Sequence, residues 1–314
     1  MPATRRAFLG AAWLPALSAA TGKAILPDRP RFFVAALTMV DRRGRFDDAA
    51  NKDYLTYLRE GGAEGVLVLG TTGEFSSFSC RERRQILESF LRHKGALPAM
   101  CQIGAPNLPD VLELLQHATS SGAESVLALP PFYFKNPSVD GLAAFYRPVL
   151  EAARIPVLLY NIPQLSGVAI APELLRRLSD QPGLAGIKDS FSKEEVLLAL
   201  IHDFPKLKIM TGVTRNIAAG LRAGSAGAIT GNGSVFLRET AAIFEAFRKG
   251  GDVLGAQERF NCAAAALSGY DGIPAMKFAL SRLGLRESYC RPPFTELSTD
   301  QKVKLAAALD RVRS

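Results

Sequence analysis

The chain has 314 residues, 48% hydrophobic and 22% charged, enough apolar material for a packed core, which excludes a disordered or fibrous protein. Its formal charge of +8 falls to +5 once Arg5, Arg6 and Lys23 are set aside, and the other Lys and Arg are scattered among Asp and Glu, unlike the basic stripe of a nucleic-acid binder. Cys80, Cys101, Cys262 and Cys290 have no CxxC spacing and His93, His117 and His202 stand apart, so neither a metal site nor a hydrolase triad is expected.

At the N-terminus, Thr4-Arg5-Arg6-Ala7-Phe8-Leu9-Gly10 leads into an apolar run through Ala20, with small residues at Ser18 to Ala20 and at Ala24. Residues 1–24 resemble a twin-arginine export signal. Pro15 interrupts the run, which is shorter than the ~20 apolar residues of a membrane span. The expectation is a periplasmic protein with no membrane anchor in its mature form, cleaved near Ala20 or Ala24; a cytoplasmic extension is the alternative.

From Phe32 onward, short β-branched or apolar runs alternate with longer amphipathic stretches. Strands are predicted at Phe32–Leu37, Gly65–Leu69, Ala99–Ile103, Ser125–Leu129, Val157–Tyr160, Leu184–Lys188, Lys208–Thr211 and Gly227–Thr230. Apolar positions recurring at three and four predict helices at Asp47–Glu60, Cys80–Lys94, Leu108–Ser121, Val139–Ala153 and Ser192–Phe204. Eight strands spaced by single crossover helices predict an α/β fold, a closed (β/α)8 TIM barrel, with residues 30–235 as its core. Thr240–Lys249, Val253–Ser268, Pro274–Leu283 and Thr299–Val312 are more helix than the eighth unit needs, so residues 236–314 supply the last barrel helix and a C-terminal helical extension.

In such a barrel the loops leaving the carboxyl ends of the strands build the active site. The second strand ends in Gly70-Thr71-Thr72-Gly73-Glu74, the fourth runs into Pro130-Pro131-Phe132-Tyr133, the fifth ends at Tyr160-Asn161-Ile162-Pro163 and the sixth at Gly186-Ile187-Lys188-Asp189. Tyr160 and Lys188 lie one β/α unit apart and should be neighbours on the rim. Removal from water disfavours an ammonium and leaves more neutral amine to attack a ketone carbonyl, so Lys188 is a candidate nucleophile. A structural lysine paired to Asp189 or Glu74 is the competing reading, and Tyr160, a proton donor and acceptor one strand away, favours the nucleophile. The Gly70–Gly73 turn offers two hydroxyls and several backbone N–H groups as a cradle for a substrate carboxylate, with Glu74 anchoring the turn.

These motifs together resemble a known family. GTTGE at 70–74, PPFY at 130–133, YNIPQLSG at 160–167, GIKD at 186–189 and GNGS at 231–234, in this order and with Arg291-Pro292-Pro293, are similar to the dihydrodipicolinate synthase and N-acetylneuraminate lyase family from about Phe32 to the C-terminus. The resemblance implies that Lys188 forms an imine with pyruvate or a 2-keto acid and Tyr160 shuttles protons. It further implies that Thr71 links Tyr160 to solvent, that Thr72 with Gly73 holds the keto-acid carboxylate, and that Tyr133 crosses a tight dimer interface within a homotetramer. No metal or organic cofactor is implied.

Leu165 stands where lysine-biosynthesis members carry an arginine for the aldehyde substrate's carboxylate. Gly212-Val213-Thr214-Arg215 stands where neuraminate lyases place acidic residues. The expectation is therefore a lyase or aldolase, or a dehydratase, acting on pyruvate or a 2-keto-3-deoxy sugar acid, with 4-hydroxy-tetrahydrodipicolinate synthase as the alternative. Arg215 could grip a distal carboxylate, and Asn232 and Ser234 could line the same pocket. The rivals from other classes are a phosphorylated-sugar barrel, on the strength of Gly227–Ser234, and a noncatalytic exported binding barrel; neither accounts for Tyr160 beside Lys188.

Overall fold

The computed structural model describes residues 29–191 and 193–313; the twin-arginine segment at 1–24 lies outside them. Eight parallel strands, β1 (Arg31–Ala35), β2 (Val66–Val68), β3 (Ala99–Gln102), β4 (Ser125–Ala128), β5 (Val157–Asn161), β6 (Leu184–Asp189), β7 (Lys208–Thr211) and β8 (Gly227–Thr230), close into a barrel in sequence order, with β8 paired to β1. Helices α1 (Asp48–Glu60), α2 (Cys80–His93), α3 (Leu108–Ser121) and α4 (Val139–Ala152) wrap the first half. The second half carries α5 (Pro163–Ser166), α6 (Pro172–Leu178), α7 (Glu194–Asp203), α8 (Ile217–Ala223) and α9 (Leu237–Arg248), and α10 (Val253–Ala264), α11 (Gly272–Arg282) and α12 (Thr299–Arg313) form the extension. Among the described residues no helix is long and apolar enough to cross a membrane.

Local chemistry sets the ends of the long helices. Asp47 accepts from the Ala50 N–H at the start of α1, Ser79 and Glu82 form a reciprocal capping box at α2, and Asn107 caps α3, which stops at Gly122 in the left-handed region. The strands are buried on both faces, and this explains their unbroken apolar runs.

Three elements go beyond the sequence reading. The units after β5 and β7 hold only short helices, the four-residue α5 with the seven-residue α6 after β5 and the seven-residue α8 after β7. Each is shorter than the window over which a helical period can be read.

Candidate active site

The pairing of β5 with β6 sets Tyr160 opposite Lys188 and Asn161 opposite Asp189. Because side chains alternate along a strand, the two pairs face opposite ways. Lys188 is 4% exposed, with Nζ 4.2 Å from the centroid of the Tyr160 ring, an ammonium over an aromatic face. Among the described residues Lys188 makes no ion pair, and both of its candidate structural partners are engaged elsewhere. Glu74 is paired to Lys277, with Nζ to Oε1 at 2.6 Å, and Asp189 accepts from Asn161 Nδ2 at 2.7 Å. Burial pushes the Asp189 carboxyl up to about 6, against the hydrogen bonds from Asn161 and the Phe191 backbone.

The Tyr160 hydroxyl lies 3.3 Å from Thr71 Oγ1. Burial of the phenol would raise its pKa, but the charge of Lys188 and hydrogen bonds to Thr71, Ser190 and Lys188 outweigh it, so the phenol titrates below its ordinary value. Ser190 is a member of this cluster that the sequence reading missed. It stands two residues beyond Lys188, the spacing that returns a side chain to the same face of an extended segment. Its carbonyl accepts from Gln164 Nε2 at 2.8 Å, which ties the β5 loop to the end of β6.

The Gly70–Gly73 turn is closed by its own backbone, Gly73 N donating to the Gly70 carbonyl and Glu74 N to the Thr71 carbonyl, both at 3.0 Å. The Gly73 N–H is thus engaged inside the turn. Gly231 explains how Thr72 is seated: a Cβ there would come within 2.7 Å of Thr72 Oγ1, so the loop after β8 can close on the loop after β2 only without a side chain. Ser234 is fully buried and its Oγ donates to the Gly231 carbonyl at 2.8 Å, so this hydroxyl braces the loop from within. Asn232 is half-buried on the same loop, and Arg215 is exposed in the short turn Thr214–Asn216 after β7.

Outside Thr71, the mouth opens into a cavity of about 270 Å³ lined by Phe75, Leu129, Phe132, Ile162 and Leu165. Tyr133 and Phe134, which follow Phe132 in the chain, are 73% and 76% exposed, with their rings in edge contact. Tyr133 therefore points into solvent in the single chain. His93, His117 and His202 sit on helices bonded to Asp48, Glu88 and Asp203, away from this cluster. Among the described residues no group of three or more His, Cys, Asp or Glu is placed to hold a metal ion.

A buried amine with no carboxylate partner, stacked on a phenol that is itself hydrogen-bonded to two hydroxyls, can attack a carbonyl and pass protons. The model of the dihydrodipicolinate synthetase family matches residues 29–312. An uncharacterized DapA-like lyase of Chloroflexus aurantiacus is 39% identical over 82% of this chain and 88% of its own. A probable 2-dehydro-3-deoxy-D-pentonate aldolase of Escherichia coli is 28% identical over 85% of this chain and 92% of its own. Among solved structures, YagE, a prophage protein of the dihydrodipicolinic acid synthase family from Escherichia coli, in complex with pyruvate, superposes with a TM-score of 0.85 at 25% identity, covering 90% of this chain and 98% of that one.

Proposed function

The chain belongs to the dihydrodipicolinate synthetase family of lyases, and from that premise we propose that it cleaves or forms a carbon–carbon bond next to a pyruvate unit through an imine on Lys188. The observation that carries this reading is the Lys188 amine 4.2 Å from the Tyr160 ring, buried and, among the described residues, without an ion pair.

Lys188 gives a proton to the Tyr160 phenolate, and the amine so freed adds to C2 of a 2-keto acid while Thr72 and Thr71 hold its carboxylate. Tyr160 protonates the carbinolamine hydroxyl, which leaves as water, and the resulting iminium is the electron sink. In the cleavage direction the Tyr160 phenolate takes the proton of the C4 hydroxyl and the C3–C4 bond breaks. The electron pair passes into the enamine and an aldehyde departs. Protonation of the enamine at C3 and hydrolysis by water return pyruvate and the free amine. Thr71, 3.3 Å from the phenol, passes the proton outward, and no organic cofactor is needed in this scheme.

The substrate class proposed is a 2-keto-3-deoxy sugar acid. Leu165 at the mouth offers no charge to a carboxylate, which argues against the 4-hydroxy-tetrahydrodipicolinate synthase reaction; Arg215, with Asn232 on the loop after the next strand, is the candidate for a distal anion. We further propose a homotetramer of tight dimers, in which the exposed Tyr133 of each subunit completes its neighbour's relay, and export by the twin-arginine segment. The export proposal is tested by N-terminal sequencing of the periplasmic form, with retention of residue 2 in a cytosolic protein as the opposing result. The functional proposal is tested by incubating the chain with a panel of 2-keto-3-deoxy acids and measuring pyruvate release. Release that disappears in Lys188→Ala is expected, and release unaffected by that substitution contradicts the proposal.

A further inference from the structure

The C-terminal extension reaches the loop that carries Thr71 and Thr72. Lys277, on α11, donates to Glu74 Oε1 at 2.6 Å, and both side chains are at most 1% exposed. The other carboxylate oxygen of Glu74 accepts from the Arg291 backbone N–H at 3.0 Å, and Lys277 also donates to the Tyr289 carbonyl. Arg291 extends the grip, with Nη1 on the Ser77 carbonyl at 2.8 Å, Nη2 on Glu82 at 2.6 Å and its guanidinium 4.2 Å over the Phe78 ring.

The loop held in this way is strained at both ends. Leu69 and Glu74, neither of them glycine, sit at φ 57° and 55°, in the left-handed region. Between them Gly73 lies so close to the Ala36 carbonyl that a Cβ would stand 2.9 Å from it. Such a backbone persists only where its surroundings over-determine it. A buried ion pair does little for net stability compared with an apolar pair of the same volume, and its best-attested use is to fix one arrangement among several. What this loop presents to the barrel is Thr71 Oγ1, at 3.3 Å from the Tyr160 hydroxyl, the long end of hydrogen-bonding range, where a few tenths of an ångström decide whether a proton can pass.

We propose that Glu74 and Lys277 are positioning residues for proton transfer, the ion pair between the extension and the β2 loop holding Thr71 within reach of Tyr160. This rests on the Schiff-base reading above. It also gives the extension a part in the reaction without contact with substrate.

Two measurements on the full chain separate the steps. Borohydride trapping of pyruvate requires only the imine, whereas exchange of the pyruvate C3 hydrogens in D2O requires the imine and the proton relay. In Glu74→Gln/Lys277→Met, which removes both charges, trapping is expected to persist while exchange falls about ten-fold or more. Adding Thr71→Val to that pair should cause no further fall, because all three changes break the same contact. Glu74→Gln alone, which keeps the shape of the side chain but leaves Lys277 buried without a counter-charge and is the harsher change for folding, should move exchange in the same direction. Exchange at the parent rate in these variants, or a Thr71→Val loss that multiplies onto theirs, overturns the proposal. No trapped adduct in the unmodified chain would instead overturn the Schiff-base reading beneath it.

Discussion

Gly212, at the end of β7, leaves open the space that the stem of Lys188 fills: a Cβ at that position would stand 2.9 Å from Lys188 Cε and collide with Ser190 Oγ. Gly212→Ala should therefore push the amine off its position beside Tyr160. A misplacement of about 1 Å can cost roughly 10²-fold in rate. Steady-state turnover is expected to fall by about that factor while the melting temperature changes little, and unaltered turnover would show that the lysine is not confined there.

Tyr160→Phe keeps the ring under Lys188 and removes the hydroxyl. Turnover is expected to fall by roughly 10²–10⁴-fold, the contribution of a positioned acid–base group, with imine formation slowed but still detectable. Thr71→Val removes one of the hydrogen bonds that hold the phenol below its ordinary pKa. The limb of the pH–rate profile that reports Tyr160 should accordingly move to higher pH. A limb at the same pH in Thr71→Val would mean that the 3.3 Å contact is not made in the working enzyme.

Asp189 makes stability depend on pH. Its carboxyl is raised from an ordinary 3.8 to about 6 by burial, and among the described residues Oδ2 has no hydrogen-bond partner. The folded chain therefore binds this proton more tightly than the unfolded chain. That contribution is complete below about pH 4 and is lost as the pH rises through about 6. Asp189→Asn removes the titration, so its stability relative to the parent should rise between pH 4 and pH 7 by roughly 2–3 kcal/mol. Denaturant melts at several pH values check this, and a difference constant across the range contradicts it.

The proposed sharing of Tyr133 can be tested by mixing. Tyr133→Phe lacks the donated hydroxyl and Lys188→Ala lacks the nucleophile, so each preparation alone should be nearly inactive. In a mixed dimer the subunit with the intact lysine receives an intact tyrosine from its neighbour. Activity should reappear when the two are dissociated and reassembled together. If no activity returns although mixed oligomers form, the tyrosine does not act across subunits.

Arg215→Ala should lower kcat/KM for 2-keto-3-deoxy acids bearing a second carboxylate by roughly 10–100-fold, the scale of one charged hydrogen bond, and leave neutral sugar acids nearly unchanged. Equal effects on both substrate classes would place Arg215 outside the substrate pocket.

The barrel was legible because its strands announce themselves as apolar runs buried on both faces, and the long helices because Asp47, Ser79 and Asn107 cap them where the periodicity begins. The adjacency of Tyr160 and Lys188 followed from their spacing of one β/α unit, and the strand register bears it out. Less legible was whatever depends on contact between distant segments. Nothing in the local sequence of Glu74 reveals that Lys277, 203 residues away, is its partner. The seating of Thr72 against Gly231 is equally long-range. Ser190 was within reach of the period-two rule, but lying one residue past β6 it drew no notice beside the lysine.

The most direct test is to incubate the chain with pyruvate, reduce with borohydride and locate the adduct by peptide mass spectrometry. A single reduced pyruvate adduct on Lys188, absent from Lys188→Ala, is the predicted result. Adduct formation at another lysine, or none at any lysine in a folded preparation, contradicts the account.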